Sequence, residues 1–341
     1  MGTNKESGTI YDIAKMAGVS IATVSRVVNG SSKVSEKTRT KVMEAIRLSG
    51  YTPNVFAQGL GLNSMHTVGI LVPTISDMYM ANAVAWLEDE LHAAGYDCIL
   101  SCSGFQASQK ENHLQMLLSK RVDALILVGS TYAGSEDKTH NTDYIRYAAE
   151  KTPVFLINGL VDGDNIYCTA SNDYQASFDV TRAMVESGRT RILFLTDSRS
   201  YSANQKKKGY EDALRSEGLR VRRNHEIYTR NSIPIVRELL DGLVQDNYDG
   251  VFATDDAMAV GVIKHAKDKG IKIPDQLCVV GYNDSTLCIT SEPELTSIDN
   301  RVEMVCRETV ERLIRVLRGD TPVSQKNVVA CRLVRRGTTD F

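Results

Sequence analysis

The sequence predicts an α/β protein built in two unlike parts: a three-helix head with a helix-turn-helix arrangement, and a larger body of two doubly wound parallel-sheet subdomains. Three observations carry this expectation. From Thr67 onward, short apolar runs alternate with helical patterns, the texture of parallel sheets wrapped by helices. The first 50 residues instead read as short helices separated by turn signals. Charge divides the chain at the same place. Residues 1–64 hold eight basic and four acidic side chains, a balance of +4, and the remaining 277 residues carry −6. A basic head on a mildly acidic body points to nucleic acid at one end only.

Within the head, Thr9 with Asp12 three residues on has the form of a capping box for a helix over Ile10–Met16. Ala17-Gly18-Val19 makes a tight turn, and Ser20 caps a second helix from Ile21 to about Asn29. Ser35 caps a third, with Val42 and Ile46 on one face, which stops at Gly50 and Pro53. The domain boundaries expected are 1–52 for the head and 53–65 for a linker of helical length. One body subdomain takes 66–165 and 300–328, and the other takes 166–299 and 329–341.

Strands are expected at Thr67–Val72, Asp97–Ser101, Ala124–Val128, Val154–Ile157, Arg191–Leu195, Gly250–Ala253 and Leu277–Gly281. Helices between them read as Val84–Ala94, Gln109–Ser119, Tyr174–Ser187, Gln205–Glu217, Ile235–Val244 and Met258–Lys269. An amphipathic helix, Val302–Leu317, and a strand-like Val328–Val334 follow.

Several function classes are excluded by what the sequence lacks. No apolar run reaches the roughly 18–20 residues of a membrane span, and the N-terminus has no secretory pattern. Seven scattered cysteines without a C-x-x-C pair read as reduced thiols of a cytosolic protein. The histidines show no metal spacing, so neither metal nor cofactor is expected. There is no G-x-x-x-x-G-K-[ST] loop and no G-x-S-x-G elbow. An enzyme and a transport-type solute-binding protein therefore stand behind a DNA-binding regulator.

The most specific stretch is Tyr11-Asp-Ile-Ala-Lys-Met-Ala-Gly-Val-Ser-Ile-Ala-Thr-Val-Ser-Arg-Val-Val-Asn-Gly30. Ile21, Ala22, Ser25 and Arg26 give its second helix an apolar edge, a small residue, a hydroxyl and a guanidinium. Arginine pairs bidentately with guanine, and aliphatic edges contact thymine methyls. This stretch resembles the lactose-repressor/galactose-repressor (LacI/GalR) family of transcription factors. So do Val34-Ser-Glu-Lys-Thr-Arg39, Gly50-Tyr-Thr-Pro-Asn54, Val279-Val-Gly-Tyr-Asn-Asp284 and Leu295-Thr-Ser-Ile298.

The resemblance implies a periplasmic-binding-protein-like body with a ligand cleft between its subdomains. It implies a repressor in the bacterial cytoplasm, on the nucleoid when bound, whose partners are double-stranded operator DNA, a carbohydrate or sugar-phosphate effector, and a second copy of itself. A homodimer is expected because no leucine-heptad tail follows the last strand. DNA contacts are implied for Thr9, Tyr11, Ser20, Ile21, Ala22, Thr23, Ser25, Arg26, Asn29, Ser35, Thr38 and Asn54. In the hinge, Ala57 would face the minor groove and Leu60 would wedge a base step.

Effector contacts are implied for Asp77, Tyr79, Asn158, Lys206, Asp255, Asn283 and Asn300. Asp255 could instead cap the following helix, although Asp256 fits that role better. The run Lys206–Lys208 reads first as a solvated helix face and second as a positive cleft wall for an anionic ligand. Trp86 reads as packing or dimer surface. Arg301–Glu308 does not resemble the helix by which the family's carbon-catabolite members dock a phosphocarrier protein.

Gly59 and Gly61 stand where relatives usually carry side chains, and each weakens a short helix by about 1 kcal/mol against alanine. Gly59→Ala is therefore expected to tighten operator binding by up to about fivefold per subunit and to blunt the effector response. Weaker binding by both Gly59→Ala and Gly61→Ala, titrated at one salt concentration, would mean that the backbone approaches its mate or the DNA too closely for a methyl group.

Overall fold

The computed structural model describes residues 9–28, 31, 33–51, 64–134, 142–243 and 248–341. The chain forms two units, one of residues 1–67 with 121–123 and one of 68–120 with 124–341. In the first unit the three expected head helices are present: α1 (Ile10–Ala17), α2 (Ile21–Val28) and α3 (Glu36–Ser49). Thr9 and Asp12 close the capping box on α1, and Gly18 ends it in the left-handed conformation, which glycine adopts without a Cβ clash. Ser35 caps α3. Ile13, Ala14, Val24, Val27, Val42 and Ala45 pack into one small core, contributed in pairs by the three helices. The Asp123 carboxylate fixes the end of this unit, accepting from Ser64 Oγ and from the Met65 and Thr67 amides, each at 3.0 Å.

The second unit holds two six-stranded sheets. In chain order it runs β1 (Thr67–Val72), α4 (Met78–Ala93), β2 (Asp97–Cys102), α5 (Ala107–Ser119), β3 (Ala124–Val128), α6 (Asp143–Ala149), β4 (Val154–Ile157) and β5 (Ile166–Ser171). There follow α7 (Asp173–Glu186), β6 (Ile192–Thr196), α8 (Tyr201–Ser216), β7 (Glu226–Tyr228), α9 (Ile233–Gly242), β8 (Gly250–Ala253), α10 (Asp256–Lys269) and β9 (Cys278–Tyr282). The last elements are α11 (Leu287–Thr290), β10 (Thr296–Asp299), α12 (Val302–Leu317), β11 (Lys326–Val329) and β12 (Arg332–Val334).

The first sheet is ordered β11-β5-β4-β3-β1-β2 and the second β12-β10-β9-β8-β6-β7. Pairing is parallel from β11 through β5, β4 and β3 to β1. In the second sheet only β12 runs antiparallel, against β10.

Alternate residues of β6 explain the double winding. Leu193 and Leu195 pack with Val236 and Leu240 of α9 and Met258 and Val262 of α10. Ile192 and Phe194 pack on the opposite side with Val180 and Met184 of α7 and Tyr210 and Leu214 of α8. A strand covered on both faces carries apolar residues throughout. In the first sheet, α4 and α12 lay Leu87, Leu91, Val305 and Leu313 on Val68, Ile70 and Ile126, and Trp86 packs at the edge of this cluster.

The chain passes between the sheets three times, after β5, after β10 and after β11. This corrects the expected subdomain boundary at 166, because Ile166–Ser171 belongs to the first sheet. It also divides the strand-like stretch Val328–Val334 between the sheets as β11 and β12. The strand β5 was not expected because hydrogen bonds hold it as well as apolar packing. Arg312 of α12 donates to Cys168 O and Thr169 Oγ1, both at 3.0 Å, and Thr309 Oγ1 donates to Thr169 Oγ1. The short polar strands β7 and β10 were missed for a related reason: Glu-Ile-Tyr and Thr-Ser-Ile-Asp carry too few apolar residues to show a period.

Helices α7 and α8 approach closely at Gly209. A Cβ there would stand 2.2 Å from Tyr174 O and 2.9 Å from Phe178 N, and a helix backbone cannot move aside cheaply. Gly209→Ala is expected to destabilise the second unit by about 1–3 kcal/mol. A urea unfolding midpoint equal to wild type would contradict this.

Candidate functional site

The head presents one face of α2. Val24 and Val27, three residues apart, turn into the core. This leaves Ile21, Ala22 and Arg26 exposed and Thr23 and Ser25 half-buried. Ser20 Oγ accepts the Thr23 amide at 3.2 Å, and Ser35 Oγ accepts the Thr38 amide at 3.4 Å. Thr9, Ser20 and Ser35 thus lie at the N-terminal ends of α1, α2 and α3, where backbone N–H groups favour anions such as phosphate. Tyr11 is 69% exposed. Asn29, Asn54, Ala57, Leu60 and the hinge glycines lie outside the described residues.

The body holds a cleft of about 140 Å³, open to solvent. Its lining comes from segments just beyond the carboxyl ends of strands in both sheets, the general ligand position in open α/β sheets. Asp77 follows β1, Asn158 follows β4, Asp255 follows β8 and Asn283 follows β9. Tyr79 lies in the first turn of α4 and Lys206 in the second turn of α8. Six of the seven expected effector residues therefore converge. Asn300 is the exception: it is buried behind Asn283 and does not line the cleft.

Asn300 instead orients the residue in front of it. Its Nδ2 donates to Asn283 Oδ1 at 2.8 Å, which fixes the Asn283 amide so that Nδ2 donates to Asp255 Oδ2 at 2.9 Å. The other Asp255 oxygen accepts the Ala257 amide at 2.9 Å and caps α10. The expected assignment of the cap to Asp256 is thereby reversed. Asp256 points inward and accepts from Ser297 Oγ at 2.6 Å and from the Ser285 amide at 2.7 Å. Its backbone is already helical, whereas Asp255 has the extended backbone of a cap.

Burial pushes the Asp255 carboxyl up to about 7, opposed by the Ala257 amide and reinforced by the charges of Asp256 and Asp77. Lys206 is buried, with Nζ 3.3 Å from Thr254 O and 3.6 Å from the centre of the Tyr282 ring. Tyr282 donates from its hydroxyl to the buried Asp173 at 2.5 Å. The two lysines after it are paired away from the cleft, Lys207 with Glu226 at 2.7 Å and Lys208 with Asp212 at 2.8 Å. The run therefore contributes one ammonium to the cleft and builds no positive wall.

Sequence reasoning missed Phe105, Ser130, Asp197, Ser200 and Asn231, which also line the cleft. Their signal was position, because each follows the end of a strand or opens the helix after one. Asn231 was hidden because β7 was not expected. Ser130 Oγ, on the first-sheet side, lies 2.8 Å from Ser200 Oγ, on the second-sheet side, and joins the two walls directly. Among the described residues, no cluster of His, Cys, Asp and Glu could hold a metal ion, and no helix is long and apolar enough to cross a membrane. All seven cysteines are free.

Two family models match the chain. Residues 9–54 match the bacterial regulatory proteins of the lacI family, and residues 181–339 match a periplasmic binding protein-like domain. An HTH-type transcriptional regulator of Lachnoclostridium phytofermentans is 45% identical over 97% of this chain and 99% of its own. The chain belongs to the LacI family. It is accordingly a DNA-binding transcriptional regulator and not an enzyme. Catabolite control protein A of Priestia megaterium is 36% identical over 85% of this chain and 86% of its own. Among solved structures, a Lac repressor dimer bound to operator and the anti-inducer ONPF superimposes with a TM-score of 0.84 at 24% identity, over 98% of this chain and 99% of that one. The transcriptional regulator CelR in complex with cellobiose gives 0.70 at 24% identity, over 97% and 100%.

The raised Asp255 carboxyl makes a pH prediction. Between its unfolded value near 4 and about 7, the folded state holds a proton that the unfolded chain releases. Stability should therefore fall as pH rises through that window, by roughly 1 kcal/mol per unit from this group. Asp173 and Asp256, raised chiefly by burial, act in the same direction. Urea midpoints between pH 4 and 8 should show a shallower slope for Asp255→Asn. An unchanged slope would mean that Asp255 titrates normally in the folded chain.

Proposed function

We propose that this regulator is a repressor that binds a pseudo-palindromic operator as a homodimer, and that a small polar ligand of the sugar class in the body cleft sets its operator affinity. The observation that carries the reading is the state of the cleft's polar atoms. Tyr79 Oη, Thr131 Oγ1, Asn158 Oδ1, Asn231 Oδ1 and Thr254 Oγ1 line it, buried from solvent and without a hydrogen-bond partner in the chain. Buried polar groups left unpaired are costly, and a hydroxyl-rich ligand would satisfy them. The complex of CelR with cellobiose, a relative in fold, supports the same ligand class. Ligand contacts from both sheets bias the arrangement of the two body halves, and binding to one arrangement shifts the equilibrium toward it.

On the DNA side, α2 enters the major groove with Ile21, Ala22 and Arg26 toward the bases, and two-fold symmetry of the protein matches that of the operator. Thr9, Ser20, Ser35 and Thr38 would hold phosphates. The protein would act in the bacterial cytoplasm.

Selection of binding sites from random duplexes, followed by anisotropy titration, tests the proposal. Arg26→Ala is expected to weaken operator binding by about 1–3 kcal/mol and to relax preference at one guanine per half-site. Unchanged affinity and preference would remove α2 from the major groove. Asp255→Ala should abolish the ligand response while leaving ligand-free operator binding within a few-fold. A tetramer mass independent of concentration in sedimentation would exclude the dimer.

A further inference from the structure

The charges of the cleft narrow the ligand beyond the sugar class. Three carboxylates line it, Asp77 from the first-sheet side and Asp197 and Asp255 from the second-sheet side. Among the described residues the lining contains no arginine, and its single lysine, Lys206, already bonds Thr254 O and lies over the Tyr282 ring.

The charge of Asp77 is felt across the cleft. After burial, the charge of Asp77 is among the causes that raise Asp255. Asp197 keeps a solvent-exposed edge, yet its carboxyl is also raised, by desolvation first, with Lys206 opposing and Asp77 adding to the rise.

A second, independent observation concerns hydrogen bonding. Asn158 is more than nine-tenths buried, and its Oδ1, like Asn231 Oδ1, is an unpartnered amide oxygen in the lining. Amide oxygens and carboxylates only accept. The unpartnered hydroxyls of Tyr79, Thr131 and Thr254 can donate as well as accept, so acceptors predominate in the cleft and a ligand with several donors suits it. At its edge Phe105 presents a largely exposed aromatic ring, a surface that also attracts cations.

We propose that the effector carries a protonated amine, as an amino sugar does, and that its ammonium lies among Asp77, Asp197 and Asp255. This rests on the cleft being the effector site. A protonated amine supplies three donors and one positive charge, which answers both the unpartnered oxygens and the facing acids. A phosphorylated sugar would add negative charge to the same place and is excluded by this reading.

Thermal unfolding of the full chain tests it with glucosamine, galactosamine, mannosamine and the β-1,4-linked glucosamine dimer. Each is compared with its N-acetylated form, which keeps the ring and removes the charge, with its neutral parent, and with glucose 6-phosphate. At least one amino compound is expected to raise Tm by about 2 °C or more at a concentration where its uncharged counterparts do not. In Asp77→Asn its affinity should fall tenfold or more. Equal stabilisation by N-acetylated or neutral sugars, preference for the phosphate, unchanged affinity in Asp77→Asn, or no response to any amino compound would overturn the proposal. Operator release by a neutral sugar would overturn it while leaving the ligand-controlled repressor intact. Operator binding by the wild-type chain that no compound, charged or neutral, alters would count against both.

Discussion

Asp255 has two oxygens with two different partners, and the working part of the body is arranged around them. One oxygen caps α10, so the carboxylate cannot move without uncovering a helix end. The other faces the cleft, held there by Asn283, whose amide is in turn set by Asn300. Asn283 has a φ of 98°, a backbone region that asparagine tolerates better than most residues. The chain Asn300–Asn283–Asp255 thus starts at the crossing between the sheets, where Asn300 follows β10, and ends at the ligand position. A rearrangement of the crossing would be passed to the cleft by hydrogen bonds rather than by packing alone.

Much of this was legible in the sequence, and the parts that were not share a cause. The apolar strands Thr67–Val72, Ala124–Val128 and Val154–Ile157 appear at the expected bounds, because a strand buried on both faces must be apolar throughout. The strands β5, β7 and β10 escaped because hydrogen bonds or mere length, not apolar periodicity, define them. The same limit hid half of the cleft. Asp77, Asp255 and Asn283 were named through a family resemblance, whereas Ser130, Ser200 and Asn231 could be found only once the strand ends were known. The choice between Asp255 and Asp256 as cap was beyond sequence reasoning. Neighbouring aspartates have equal propensity, and only the extended backbone at Asp255 decides.

The head shows the opposite balance. Nearly every signal in it is local: Thr9 with Asp12, Gly18, Ser35 and Gly50 set the ends of α1 and α3 within a few residues of themselves. The valines of α2 need only three-residue spacing to choose their face. Short-range rules suffice where a core is made of three helices and six small apolar side chains.

The three crossings have a consequence for how the protein is made. Neither half of the body is continuous in the sequence. The first sheet lacks β11 until residue 329 has emerged from the ribosome, and the second lacks β12 until residue 334 has. The head, by contrast, has its whole core within residues 13–45. During synthesis the head therefore has its core long before either sheet of the body is complete. The nascent chain passes through a stage in which contact with operator DNA, if made at all, is made without a completed ligand cleft.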